Sequence, residues 1–411
     1  MKHKLESAYG AGLTALLVFL SVTNPFAFHV FLPSLPGLAE TFDASPAMAQ
    51  LTVSVYVGTF AVAQLVYGPL SDRFGRRRVI LTGLAVYTVA PLLCAGATSI
   101  EALTAGRALQ AIGGCAGLMF ARVVARDLHG RDRAAGVIGL ITMITALATA
   151  ATPMLGGYLD VWLGWRASFW CSAGLGAMVF AATWAWLPET RPVVPFQGAI
   201  RTLIEGARLL RSPIFLGYAG HATCTLSAWY AILSGLPYVM VEVLDQPLTA
   251  YGHYFPLLAA GFMLGNLATA RVAHRWGIAR LIVVGAGISV AACLPLYAWN
   301  ALVSPAPLAL FLPMAVIVFG HGLSQPGAQS GAIGVRPDLA GSAAGIMGFG
   351  QWLTAAAVSQ LVGISQDGTV WPAISFVTFF TVLSFAAYML ARWGERRVSP
   401  IRTGVRPEPP P

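Results

Sequence analysis

Gly68-Pro69-Leu70-Ser71-Asp72-Arg73-Phe74-Gly75-Arg76-Arg77-Arg78 is a short polar stretch between two long apolar runs, and it holds one acid and four arginines. The glycine and proline at its start let two helices approach closely, the aspartate stands at a helix end, and the second glycine suits a tight turn crowded with cations. Together they describe a latch between adjacent membrane helices, on the side of the bilayer where basic residues collect. A basic loop that only fixes orientation would explain the arginines but not the acid, the glycines and the proline.

The flanking runs belong to a 411-residue chain that is 57% hydrophobic and 10% charged, with a mean hydropathy of +0.71. A soluble domain has no means of burying so much apolar surface. About 20 mostly apolar residues cross a hydrocarbon core about 30 Å thick, so this length admits many crossings. Apolar runs and their punctuation place spans at 13–36, 47–70, 79–98, 101–125, 134–158 and 165–187, then at 213–240, 250–272, 279–300, 306–330, 339–363 and 370–392. The expected fold is an all-α membrane protein of 12 transmembrane helices in two six-helix bundles. The first run follows Lys2 and Lys4 as a signal peptide would. Asn24, Pro25 and the Leu32–Pro36 stretch follow it without a small-residue cleavage pattern, so it reads as retained.

Charge then orients the spans. Lys2, Lys4, Arg73–Arg78, Arg126–Arg133, Arg191–Arg211, Arg271–Arg280, Arg336 and Arg392–Arg406 fall on one side. Glu40, Asp43, Glu101, Asp160, Glu242, Asp245 and Asp367 fall opposite, with Arg166 the basic residue among them. The positive-inside rule makes both termini and the middle loop cytoplasmic. The formal charge of +9 therefore reflects topology and attraction to an anionic leaflet, not nucleic-acid binding.

Residues 188–212 form the one domain boundary, opened by Pro188, Pro192 and Pro195. They separate bundle 1–187 from bundle 213–392, with a cytoplasmic tail at 393–411. Ile200, Leu203, Ile204, Ala207 and Leu210 fall near one face, as in a helix lying along the membrane interface; a solvated linker is the alternative. Across it, His274-Arg275-Trp276-Gly277 with Arg280 echoes Asp72-Arg73-Phe74-Gly75 with Arg78 at a fixed offset of 202 residues. The echo marks an internal duplication, although its acid has become His274. In duplicated carriers the site lies near the midplane between the halves.

The Gly68–Arg78 stretch resembles the signature loop between helices 2 and 3 of the major facilitator superfamily. Further stretches are similar to its drug-proton antiporter branch, in the bicyclomycin-resistance and chloramphenicol-efflux (Bcr/CflA) group. They are Gly106–Gly117 running on to Ala121–Asp127 for helix 4, Leu51–Tyr56 and Gln64–Asp72 for helix 2, and Ala340–Gln351 for helix 11. The resemblance implies alternating-access transport, with Gly68, Asp72, Arg73, Gly75, Arg76 and Arg77 as a gating motif and Asp72 paired to its own loop and the end of helix 11. Helix 5 carries a spaced series, Gly139, Ala148, Thr152, Pro153, Gly156 and Gly157, that resembles the exporter pattern, with Thr152 in place of its usual glycine. A kinked, tightly packed helix would read the same way.

Group members carry an aspartate four residues before the Leu-Pro proline of helix 1, and that position here is His29. No acid falls in a span interior. The ionisable residues within spans are His29, Arg107, Arg122, His221 and His321, on the helices that line the cavity in the implied fold, with Gln110 one turn from Arg107. An ionisable group in hydrocarbon faces a cavity or a partner. Arg107 could equally be a structural residue holding carbonyls, and each histidine a satisfied core imidazole. Histidine titrates near physiological pH, which makes His29 the leading candidate to replace the carboxylate as proton carrier. At about 1.5 Å per residue, His29 and Arg107 fall in the outer part of the membrane and His221 and His321 nearer the middle or inner half.

Cys94, Cys115, Cys171, Cys224 and Cys293 lie in or near spans and imply no disulfide framework. Metal-ligand spacings, phosphate-binding loops and nucleophile motifs are absent, so the chain reads as no enzyme and needs no cofactor or metal, only an ion gradient, expected to be of protons. The expected activity is export of small amphipathic drugs, phenicol-like or bicyclomycin-like, with Tyr56, Trp229, Tyr230 and Trp352 as apolar contacts. An exporter or symporter of an organic anion or metabolite is the alternative, and a non-transporting receptor a remote one. Expected partners are a small molecule and the lipid bilayer, with a monomer sufficing, in the bacterial cytoplasmic (inner) membrane.

Overall fold

Ser45, Ser99 and Ser212 each stand just before a helix, and each hydroxyl accepts a hydrogen bond from the backbone N–H three residues on, at Met48, Ala102 and Phe215. Such caps satisfy donors that a helix start leaves open. The computed structural model describes residues 2–190, 208–303, 305–336 and 339–398. Among them there is no strand. The helices are α1 (Lys2–His29), α2 (Leu35–Thr41), α3 (Pro46–Phe74), α4 (Arg76–Ala95), α5 (Ile100–Leu163), α6 (Arg166–Trp186), α7 (Pro213–Tyr238), α8 (Leu248–Trp276), α9 (Ile278–Leu302), α10 (Pro307–Gly334), α11 (Ala340–Ile364) and α12 (Trp371–Val398). Among the described residues, eleven segments are long and apolar enough to cross a membrane. Besides these, α11 is a helix of 25 residues.

Two elements differ from the sequence reading. The span expected at 13–36 breaks after His29, and a 3₁₀ turn at Leu32–Ser34 leads into α2. Pro33 has no N–H to offer the His29 carbonyl, so the helix ends there. The Ser34 N–H bonds Phe31 instead of Val30, and the freed Val30 carbonyl accepts from the Ser168 hydroxyl at 3.2 Å. The second difference is α5, helical across the expected cytoplasmic loop at Arg126–Arg133 for 64 residues in all. A straight helix of that length would run about 96 Å. It doubles back: Arg107 reaches the Ala27 carbonyl while Gly156, 49 residues later, packs on the neighbouring Val30 carbonyl. It therefore supplies two antiparallel spans, Ile100–Ala125 and Val137–Leu163.

Within the first half α5 packs on α1 and α4, and α4 on α6; within the second half α7 packs on α12, and α10 on α8 and α9. The halves meet through α3 against α11 and α5 against α8. Alternation of the spans gathers Arg73–Arg78, Arg271–Arg280 and Arg392–Arg397 at one end and Glu40, Glu101, Asp160, Glu242 and Asp367 at the other. Hydrogen bonds joining the halves collect at the acidic end. Gln50 of α3 donates to Ser359 of α11 (2.7 Å) and Ser234 of α7 (3.1 Å), and Ser234 and Ser359 bond each other at 2.8 Å. Gln360 donates to the Ala47 carbonyl at 3.1 Å, and Tyr158 of α5 bonds His253 of α8 at 2.9 Å. Most of the linker's expected surface helix, residues 197–207 of 197–211, and the expected tail beyond 398 lie outside the described residues, whereas 393–398 continue α12.

Candidate functional site

A cavity of about 290 Å³ lies between the halves, lined from both. Asn24, Phe28 and His29 come from α1, Arg122, Thr142, Thr145 and Thr149 from α5, Thr225, Trp229 and Tyr230 from α7, Phe262 from α8, His321 and Gln325 from α10 and Trp352 from α11. Its apolar wall is aromatic. Trp229 stacks on Phe262 (centroids 6.2 Å apart, planes at 29°), and Tyr230 contacts Phe28 (5.4 Å) and Trp352 (5.8 Å) edge-on. Among the described residues no Asp or Glu lines this space, and Arg122 is its one permanent charge.

The structure divides the candidate residues. His29, Arg122 and His321 line the cavity. His29 and His321 are buried, and among the described residues Nδ1 of His29 and both ring nitrogens of His321 have no protein hydrogen-bond partner. Imidazole nitrogens out of water without a partner are costly, so they are ready acceptors or donors for something in the cavity. His29 stands there because Pro33 ends α1 at it.

Arg107, Gln110, Tyr56 and His221 are not among the residues that line this cavity. Arg107 is fully buried behind the wall, donating from Nη1 to the Ala27 carbonyl (3.1 Å) and Gln110 Oε1 (2.6 Å). Its guanidinium lies 4.2 Å from the Tyr56 ring centroid and 4.6 Å from that of Phe31. Two ring faces and the C-terminal end of α1 stabilise the charge. Asn24 connects this cluster to the cavity by donating to the Tyr56 hydroxyl at 3.1 Å. His221 is a satisfied core residue: the Ser384 carbonyl can only accept, so Nδ1 donates to it at 2.9 Å, and Nε2 faces the Ser324 hydroxyl at 2.9 Å.

The Gly68–Arg78 loop forms a grip inside the first half. Gly75 has φ 86°, and a Cβ there would stand 2.7 Å from Glu189 Oε2. The Glu189 carboxylate accepts from the N–H of Arg76 (2.9 Å) and Arg77 (3.2 Å), closing the N-terminus of α4. Arg76 pairs with Asp127 of α5 at 2.6 Å, and Arg77 donates to the Leu187 and Trp184 carbonyls that end α6. Arg73 lies over the Phe74 ring and Gly68 faces Met119. These contacts bind α4 to α5 and α6. The Asp72 side chain lies outside the described residues.

The later members of the helix-5 series, Thr152 to Gly157, sit toward the acidic end, and Gly139 begins the same span at the arginine-rich end. Thr152 returns its hydroxyl to the Ala148 carbonyl, and Pro153 and Met154 touch Gly252 of α8. Gly156 packs on Val30 and Gly157 against Thr249, whereas Gly139 faces open space. Sequence reasoning missed Glu189 and the Gln50–Ser234–Ser359 cluster. Glu189 is one of several acids set among arginines at that end, Asp127 and Glu395 being others, so its charge alone did not single it out, and no spacing connects the other three.

Two helical bundles closed against each other at one end around a cavity that both line define a membrane carrier rather than an enzyme. The Major Facilitator Superfamily profile matches residues 17–359, and the chain belongs to that superfamily. It is 25% identical over 380 residues to the bicyclomycin resistance protein homolog of Haemophilus influenzae, covering 90% of this chain and 94% of that one. To the chloramphenicol resistance protein of Pseudomonas aeruginosa it is 27% identical over 383 residues, covering 91% and 90%. Among solved structures, a bacterial homolog of the human lysosomal transporter Spinster, inward-facing and unoccupied, matches with a TM-score of 0.78 at 16% identity, covering 95% and 98% of the two chains.

Proposed function

We propose that this chain is a secondary active exporter of small amphipathic compounds, like those named for its bicyclomycin- and chloramphenicol-resistance relatives, working by alternating access. The observation that carries the reading is the aromatic cavity shared by both halves, closed by hydrogen bonds at the acidic end and reaching through Arg122, Thr142 and Gln325 toward the arginine-rich end. With α11 counted, the spans number twelve, in bundles 1–187 and 213–392 joined by a linker at 188–212. The positive-inside rule puts the arginine-rich end, both termini and the linker in the cytoplasm, so this conformation faces inward. The bilayer is the bacterial cytoplasmic membrane, and a monomer suffices.

Proton exchange drives the cycle, with no cofactor. Since no carboxylate lines the cavity among the described residues, His29 and His321 are the groups that take up and release the proton. The gating role of Asp72 is part of the same reading. A second reading, transport of an organic anion or metabolite, is favoured by the acid-free lining and Arg122.

Growth inhibition of an efflux-deficient bacterium expressing the chain tests this, against neutral phenicols, cationic dyes and anionic antibiotics, with Asp72→Asn as the inactive control. Protection from phenicols, lost in the control, is the expected outcome. Protection from anionic antibiotics alone selects the second reading, and protection from none counts against drug export.

A further inference from the structure

Two grooves on the outer surface, one in each half, share a matched aromatic and arginine at their arginine-rich end. The first, about 620 Å³, runs between α3 and α4. Val62, Val66, Leu70 and Phe74, at four-residue spacing and each 37–53% exposed, form its wall, with Arg78 at its arginine-rich end. The second, about 410 Å³, lies at that same end between α8, α9 and α12, lined by Trp276, Arg280, Val283, Val284 and Arg392.

The 202-residue offset between the halves carries Phe74 onto Trp276 and Arg78 onto Arg280. The turns between them match as well, with φ 86° and ψ 149° at Gly75 and φ 77° and ψ 150° at Gly277. An aromatic residue, a glycine turn and an arginine in the first turn of the next helix are therefore built twice in one geometry. Arg76 and Arg77 are engaged by Asp127, Glu189 and α6, but the exposed guanidinium groups of Arg78 and Arg280 have no protein partner among the described residues.

We propose that both grooves bind an anionic phospholipid of the bilayer leaflet at the arginine-rich end, its phosphate on Arg78 or Arg280 and an acyl chain along the apolar groove. Arginine suits phosphate through its fork of donors, and aromatic side chains favour the depth of the headgroups. From Phe74 to Thr59 the first groove follows 15 residues of α3, about 22 Å, against about 15 Å for half of the hydrocarbon core, so it accommodates a chain of one leaflet. A zwitterionic lipid brings its own cation beside the guanidinium and binds less well. The second groove is smaller, and its Arg392 is paired with Glu395 at 3.1 Å, which makes it the weaker site.

Full-length protein, delipidated in mild detergent, is titrated with phosphatidylglycerol or phosphatidylcholine of matched chains, and retained lipids are counted by native mass spectrometry. Two phosphatidylglycerol molecules are expected, held about tenfold more tightly than phosphatidylcholine. Arg78→Gln removes one and Arg280→Gln the other, Arg78→Lys and Arg280→Lys retain them, and Arg271→Gln, an exposed arginine at the same end outside both grooves, changes nothing. Equal retention of the two lipids, equal loss in Arg271→Gln, or survival of both adducts in the double Gln variant overturns the proposal. A second measurement uses folded protein with its arginines intact: brominated phosphatidylglycerol should quench a fluorescence component that Trp276→Phe removes, and identical quenching in that variant contradicts the second site.

Discussion

A guanidinium keeps its charge at any accessible pH, so a buried one must be compensated by geometry. At Arg107 the Ala27 carbonyl, Gln110 and the rings of Tyr56 and Phe31 do this. Arg107→Ala would leave those acceptors unpaired beside a new void. A loss of about 3 kcal/mol follows, seen as a melting temperature lower by several degrees in detergent. Arg122→Ala should leave the melting temperature in place and weaken substrate binding, and the opposite pattern would reverse the two roles. Residue spacing could not separate them, because 15 residues at about 100° each leave the side chains only about 60° apart on a helix. The histidines divide in the same manner. His29→Ala and His321→Ala should flatten the pH dependence of transport between about pH 5 and 8, where imidazole ordinarily changes charge. His221→Ala, which cuts the tie from α7 to α10 and α12, should lower the yield of folded protein and leave the pH profile unchanged. A wild-type pH profile in both cavity variants removes the histidines from coupling.

Among elements, the Gly75 turn shows how local conformation and a distant acid are joined. The positive φ and the Glu189 carboxylate each exclude a Cβ, so Gly75→Ala strains the backbone and pushes Glu189 from the start of α4. Glu189→Gln keeps the shape and removes the charge at a helix N-terminus, an effect of about 1 kcal/mol or less. Thermal unfolding should therefore rank wild type, Glu189→Gln and Gly75→Ala in descending order; a Gly75→Ala protein as stable as wild type would mean the turn tolerates another path. Helix positions were largely legible because apolar runs of membrane length admit no other structure. The break of α1 at His29 was signalled by Pro33 and Pro36, yet the preceding apolar run concealed it. The joining of the two α5 spans was not legible, since the arginines at Arg126–Arg133 read as a loop when only their charge is considered.

For the molecule as a whole, the seal at the acidic end joins residues as far apart in sequence as Gln50 and Ser359, a pairing visible only once the halves are assembled. The helix-5 series takes part, since Gly157 of α5 meets Thr249 and Met154 meets Gly252 of α8 without intervening side chains. If carriage requires the halves to part there, a covalent tie across the seam must stop it. Gly58 of α3 and Ala356 of α11 suit such a tie, because a Cβ on Gly58 would lie 3.6 Å from that of Ala356, within the spacing that a disulfide spans. Gly58→Cys combined with Ala356→Cys should crosslink on mild oxidation and lose transport, and reductant should restore it. Either cysteine alone should transport normally under both conditions, which controls for the native cysteines, among them the exposed Cys171. A crosslinked protein that still transports at the wild-type rate would show that α3 and α11 stay together throughout the cycle, placing the moving seam at α5 and α8 instead.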